Sequence, residues 1–286
     1  MMSQNYFKNL LVPVDGSTSC LRAKQLAALI ANKFQSKVNV VHVVSHDFMH
    51  PELKAHHQLP ALILHELDRV YLEAGKKILR HAEGLFLDEG IVVETELIKG
   101  EDPAETVLEI AGERGSDLIV IGNRAKTQRE RFELGSVTEK ISMYAPCSVL
   151  ISKGKTEIRS LLVAVDGSEQ ANKALDHAVA IAKKFGARIH LLHVEEAKLF
   201  GLKPEFVKKL GEEILLEAES RIEGVKFEKS LKTGNTVEII LKMAWLGDFD
   251  LTVMGSQGLS SVKRFLLGSI SADVSMHSRR SVMLVR

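Results

Sequence analysis

The sequence predicts an α/β protein made of two tandem doubly wound domains, each with a parallel sheet of five strands flanked by helices. Three observations carry this: a long internal repeat, a fivefold alternation of apolar strand-like runs with amphipathic segments, and no hairpin signal between any two strands.

The repeat comes first because it sets the architecture. Leu10–Val43 aligns without a gap on Leu161–Val194 at an offset of 151 and is identical at 15 of 34 positions. Farther on, "SDLIVIGN" (Ser116–Asn123) matches "FDLTVMGS" (Phe249–Ser256) at an offset of 133. The difference falls mainly in "SHDFMHPELKAHHQLPALIL", which only the first copy carries. A short polar stretch, "SKGKTEIRS" (Ser152–Ser160), separates the copies, so the expected domains are 1–152 and 159–286.

In the first copy "LLVPVDGS" is a short apolar run closed by turn residues, as expected of a strand buried on both faces. Leu26, Ala27, Ile30, Ala31 and Phe34 then recur at helical spacing. Strand "VNVVHVV", a helix from about Leu59 to Leu87 and strand "IVVETELIK" follow. Helix "PAETVLEIAGER", strand "DLIVIG", a glycine loop, helix "SVTEKISMY" and strand "SVLIS" complete the copy. In the long helix, Leu64, Leu67, Tyr71, Ile78 and Leu85 are expected to pack on the sheet, with the outer face left for partner recognition.

Composition bounds the function. A formal net charge of +1 gives no global reason to expect nucleic acid or an acidic membrane as partner. The two cysteines, Cys20 and Cys147, form no C-x-x-C pair, which argues for a reducing, cytoplasmic setting, and Cys147 reads as a small buried hydrophobe. The N-terminus reads as a strand, not a signal peptide, and no apolar run is long enough to span a membrane.

Ligands of open α/β sheets sit beyond the carboxyl ends of the strands, where the strand order reverses. Two segments fall there: "VDGS", with Asp15 or Asp166, and the loop after the fourth strand. In the second copy that loop carries Gly255, Gly258 and Gly268–Ser269, spaced Gly-x2-Gly-x9-Gly-Ser. Glycine permits positive φ and lets main-chain N–H groups approach an anion, and the helix that follows presents its unpaired N–H groups. Ser256, Ser260, Ser261 and Ser269 add hydroxyls, and Lys263 and Arg264 add charge. A plain strand-to-helix turn is the competing reading of any one Gly-x2-Gly.

"VDGS", the "HV" ending the second strand, "DLTVMGSQG" and the spaced glycines resemble the universal stress protein family, and the similarity covers nearly the whole chain twice. The resemblance implies a Rossmann-like, adenine nucleotide alpha hydrolase-like fold and an ATP-binding stress-response regulator or sensor with at most slow hydrolysis. It implies that Asp166 lies by the ribose and adenine, that Val194 meets adenine, and that Gly255, Ser256, Gly258, Gly268 and Ser269 wrap the phosphates. Mg2+ is an optional companion of the ATP, with no carboxylate assigned to it. It also implies that the halves pair through their last strands as an internal pseudo-dimer, with homodimerisation of the whole chain and unknown protein partners as further expectations.

The first copy departs from the pattern. Ala125 replaces the second glycine, although Asp15, Val43, Gly122, Gly135 and Ser136 are kept. If that position needs positive φ, alanine there costs on the order of 1 kcal/mol. Arg124, Lys126, Arg129 and Arg131 would attract an anion by charge alone. The second copy is therefore the expected nucleotide holder, Gly258→Ala the expected damaging change, and Gly122→Ala an expected mild one.

Other signals are weaker. His46, His50, His56, His57 and His65 cluster without a known ligand spacing, so no metal site is expected. His42 and His193 read as core or near-ligand residues, and no catalytic residue is assigned. No purpose is apparent for the basic "SRRSVMLVR". Two alternatives stay open: an interaction module holding another small ligand, and an adenylyl-transfer enzyme, whose Ser-Gly-Gly-x-Asp-Ser and His-x-Gly-His signatures are absent.

Overall fold

The computed structural model describes residues 6–45, 61–123, 134–196, 203–258 and 267–286. The first copy runs β1 (Asn9–Pro13), α1 (Thr18–Phe34), β2 (Lys37–Val44), α2 (Ala61–Asp88), β3 (Val93–Lys99), α3 (Pro103–Glu113), β4 (Leu118–Gly122), α4 (Ser136–Tyr144) and β5 (Ser148–Ser152). The second runs β6 (Ser160–Ala164), α5 (Glu169–Phe185), β7 (Arg188–Glu195), α6 (Pro204–Ser220), β8 (Phe227–Thr233), α7 (Thr236–Leu246), β9 (Leu251–Gly255), α8 (Ser269–His277) and β10 (Ser281–Val285).

Local chemistry sets the helix starts. Ser17 and Ser168 accept from Cys20 N and Ala171 N, and Asp102 and Asn235 cap α3 and α7 in the same way. The left-handed Gln35 and Gly186 end α1 and α5. Asp117 and Asp250, just ahead of β4 and β9, accept main-chain N–H groups at the entry to β1 and β6 and so fix where those strands begin.

All ten strands form one sheet in the order β3-β2-β1-β4-β5-β10-β9-β6-β7-β8. Pairing is parallel within each copy, so the strand order reverses between β1 and β4 and again between β6 and β9. The copies meet where β5 and β10 pair antiparallel, with Leu150 opposite Met283. Alternate residues along the strands feed two cores, one per face, and both cross the seam: Leu150 and Met283 belong to one, Val149 and Val282 to the other.

Two sequence expectations change. On α2 the buried apolar side chains described are Leu79, Ala82 and Phe86, while Leu67, Tyr71, Ile78 and Leu85 are only half-buried; Leu64 lies outside the described side chains. Ile78 packs on the core as expected and, with Tyr71, also borders a cavity at the strand ends. The basic "SRRSVMLVR" also gains a role, because Arg279 and Arg280 stack on Trp245 and Arg280 pairs with Asp248.

Candidate functional site

Each β1- or β6-to-helix turn is built on an aspartate. Asp15 Oδ1 accepts from Ser17 N at 2.9 Å and Asp166 Oδ1 from Ser168 N at 3.0 Å. Between them Gly16 (φ +77°) and Gly167 (φ +80°) hold a left-handed conformation that a side chain disfavours. The aspartates thus serve the turn while standing at the carboxyl ends of their strands.

The loop glycines work through space and not through φ. None of Gly122, Gly135, Gly255, Gly258 and Gly268 has positive φ, contrary to the sequence argument. A methyl group at Gly122 would stand 2.7 Å from the Ser19 carbonyl carbon and oxygen, and one at Gly255 3.0 Å from the Gln170 carbonyl carbon. These first glycines therefore let helices α1 and α5 close on β4 and β9. Gly122→Ala therefore carries a packing cost against α1, whatever it does to a ligand. Gly258 lies against Asp166: a methyl group there would come within 2.7 Å of Asp166 Oδ2.

Gly135 and Gly268 are the N-caps of α4 and α8, in extended conformation (φ −68° and −66°) and with no side-chain cap. Both helices thus start with main-chain N–H groups that no cap side chain satisfies, at Ser136 and Ser269. Thr138 and Ser271 anchor their first turns by donating to the Gly122 and Gly255 carbonyls at 2.9 and 2.7 Å. Ser256 is buried, and its N–H donates to Val285 O at 2.8 Å, so that amide is committed to the sheet and unavailable to an anion.

In the first copy these pieces border one cavity of about 430 Å³. Asp15, Val43, Gly122, Gly135 and Ser136, the five residues singled out there, all line it. His42 also lines it, its ring Nδ1 2.6 Å from Val14 O, and His193 repeats that contact with Val165 O at 2.7 Å. Cys20, on the same wall, donates its thiol to Asp15 Oδ1 at 2.8 Å, and burial, helped by Asp15, pushes it up to about 12. In the second copy Asp166, Gly258 and Gly268 gather about Ser256 and Gln257, with Gly268 N donating to Ser256 O, while half-buried Val194 packs on the β7 side.

A sequence model of the universal stress protein family matches this chain twice, over residues 6–153 and 157–286. The chain belongs to the universal stress protein family. A universal stress protein of Methanocaldococcus jannaschii is 33% identical over 52% of this chain and 84% of its own. One from Mycolicibacterium smegmatis is 26% identical over 97% of this chain and 96% of its own, so the tandem arrangement recurs there. The fold of a universal stress protein from Archaeoglobus fulgidus superposes with a TM-score of 0.73 at 22% identity, covering 100% of this chain and 99% of that one.

This universal stress protein has site-shaping residues that motif reading passed over. Gly75 and Gly211, in mid-helix, let α2 and α6 press on the second strands: a methyl group at either would lie within 3 Å of His42 or His193. The signal was present, since both glycines precede an isoleucine by three residues, Ile78 and Ile214, which pack over Gly16 and Gly167. Ser260, Ser261, Lys263, Arg264, Arg124, Ala125, Lys126, Arg129, Arg131, His46, His50, His56 and His57 lie outside the described residues. His65 is exposed on α2, and no group of three or more metal-ligating side chains occurs among the described residues. No described helix is long and apolar enough to cross a membrane.

Proposed function

We propose that this universal stress protein binds ATP at the carboxyl ends of its strands and acts as a stress-response regulator or sensor. The observation that carries this reading is the first-copy cavity, which brings Asp15, Val43, Gly122, Gly135 and Ser136 to one wall beside the uncapped start of α4. Its aliphatic side suits a purine ring, Asp15 suits a ribose hydroxyl, and the α4 N–H groups suit phosphate oxygens. In the second copy the glycine at 258 and the uncapped α8 support the same role for Asp166, Val194, Gly255, Gly258, Gly268 and Ser269, with Ser256 contributing through its place in the loop. ATP supplies charge and shape to be read; no described residue is assigned to its cleavage.

Regulation then requires that ATP-bound and ATP-free protein differ in affinity for a partner. The domains we assign are residues 1–152 and 159–286, one nucleotide site in each. A cytoplasmic location follows from this reading.

The test is ATP stoichiometry by equilibrium titration, together with the nucleotide released when freshly purified protein is denatured. The wild type is expected to bind saturably, Asp15→Asn to weaken the first site and Gly258→Ala or Asp166→Asn the second, each at least tenfold. The failure of ATP, ADP and AMP alike to bind at millimolar concentration overturns the proposal. It would favour the second reading, a non-nucleotide ligand, which the aliphatic wall of Val14, Val41, Val44 and Val107 also suits.

A further inference from the structure

A second cavity, of about 380 Å³, lies between α6 and the β7–β8 edge of the sheet, apart from the loop of spaced glycines. Its inner polar group is Glu195, the last residue of β7, which is only 6% exposed. Glu195 Oε2 accepts from Thr233 Oγ1 at 3.2 Å, and Oε1 has no hydrogen-bond partner among the described residues. The backbone holds it firmly, since Gly234 N donates to Glu195 O at 2.9 Å. Gly211 lets α6 close over it, because a methyl group there would stand 2.9 Å from Oε1.

This carboxylate is not a requirement of the fold. At the repeat offset of 151 the first copy has Val44, buried in an apolar wall. A buried carboxylate with one neutral partner lacks the compensation that ionised groups in protein interiors normally have. The lysines that border the cavity have other partners, Lys208 with Glu212 at its rim and Lys229 with Glu219. Among the described residues no cation pairs with Glu195.

We propose that this cavity binds a small aliphatic ammonium ion. An ammonium group donates to Glu195 Oε2 and to the free lone pair of Thr233 Oγ1, the oxygen pair that borders the cavity, while its methylene chain lies along Leu215 and Leu231. A second ammonium on the chain meets Glu212 at the exposed rim, where the Lys208 pair is loose at 3.8 Å, so a diamine binds more tightly than a monoamine. The donor set is too small for a metal, with one buried carboxylate and the hydroxyl of exposed Thr233.

The experiment is calorimetric titration of the whole chain with 1,4-diaminobutane, n-butylamine and n-butanol. The wild type is expected to bind 1,4-diaminobutane saturably, n-butylamine more weakly, and n-butanol not at all. Glu195→Gln is expected to weaken 1,4-diaminobutane at least tenfold, and Glu195→Val, which installs the first copy's residue type, to abolish it. If either variant fails to melt cooperatively, Thr233→Val, expected to weaken binding at least threefold, takes its place. No saturable amine binding by the wild type, equal affinity in the folded variants, or equal binding of n-butanol overturns the proposal. ATP affinity is measured in parallel with Gly258→Ala, which is expected to lower ATP binding and leave amine binding unchanged, so this site and the nucleotide reading are tested separately.

Discussion

Lys153 and Arg286 occupy equivalent places just beyond the last strand of each copy, and each closes the final helix of the other copy. Lys153 Nζ donates to the carbonyls of Ser275, Met276 and Ser278 at the end of α8, at 2.8, 3.1 and 2.9 Å. Arg286 Nη2 donates to Ser142 and Met143 at the end of α4, at 2.8 and 2.9 Å. Side-chain N–H donors at a helix C-terminus satisfy orphaned carbonyls. The seam is therefore locked by two reciprocal caps as well as by the β5–β10 ladder.

Lys153 makes stability depend on pH. Burial pushes its ammonium down to about 7 from the ordinary 10.5. Between those values the unfolded chain holds a proton that the folded chain has shed, so this group's contribution rises with pH across the window and is flat below it. Each unit inside the window is worth up to about 1.4 kcal/mol. Thermal melts at pH 6.5, 8 and 9.5 should show the wild type gaining on Lys153→Met as pH rises; a constant or shrinking difference would refute this.

Glycines at close contacts should resist alanine, and those in open space should welcome it. Gly122→Ala and Gly255→Ala push a methyl group into the main chain of α1 and α5 and should each cost about 1–3 kcal/mol. Gly84, inside α2, has nothing within 4 Å of an added methyl group, so Gly84→Ala should stabilise by about 0.5–1 kcal/mol. Urea denaturation midpoints distinguish the two classes.

Asp250 accepts from Arg159 N, Ser160 N and Ser160 Oγ at 2.9, 3.0 and 3.1 Å and is buried. Asp250→Ala strands those donors and should cost about 2–3 kcal/mol. Asp117, its half-buried counterpart, accepts from Lys8 N and Asn9 N, each at 2.9 Å, and Asp117→Ala should cost about 1 kcal/mol because water reaches the vacated donors. Chemical denaturation of both variants checks the order, and a reversed order would contradict the account.

Both thiols should be inert in the native protein. Burial pushes Cys20 and Cys147 up to about 12 from 9.0, which leaves about a thousandth of the ordinary thiolate fraction at pH 8. Ellman's reagent at pH 8 should titrate neither thiol until denaturant is added, and then both. Rapid native labelling of Cys20 would mean that the Asp15–Cys20 contact opens.

The sequence by itself determined the repeat, the alternation of elements and the family. Those features are written in local periodicity and in short motifs: helix "SVTEKISMY" coincides with α4 and strand "SVLIS" with β5. It also named five residues that the fold gathers around one cavity, because the ends of parallel strands come together whatever the rest of the chain does. Tertiary structure alone decided why Gly122 and Gly255 are glycine, since their neighbours Ser19 and Gln170 are remote in sequence. It likewise decided that Lys153 caps a helix more than a hundred residues away, and that Glu195 borders the cavity beside α6 while its counterpart Val44 borders the one at the strand ends. Periodicity tells a side chain which face to take; what waits on that face depends on the packing of distant segments.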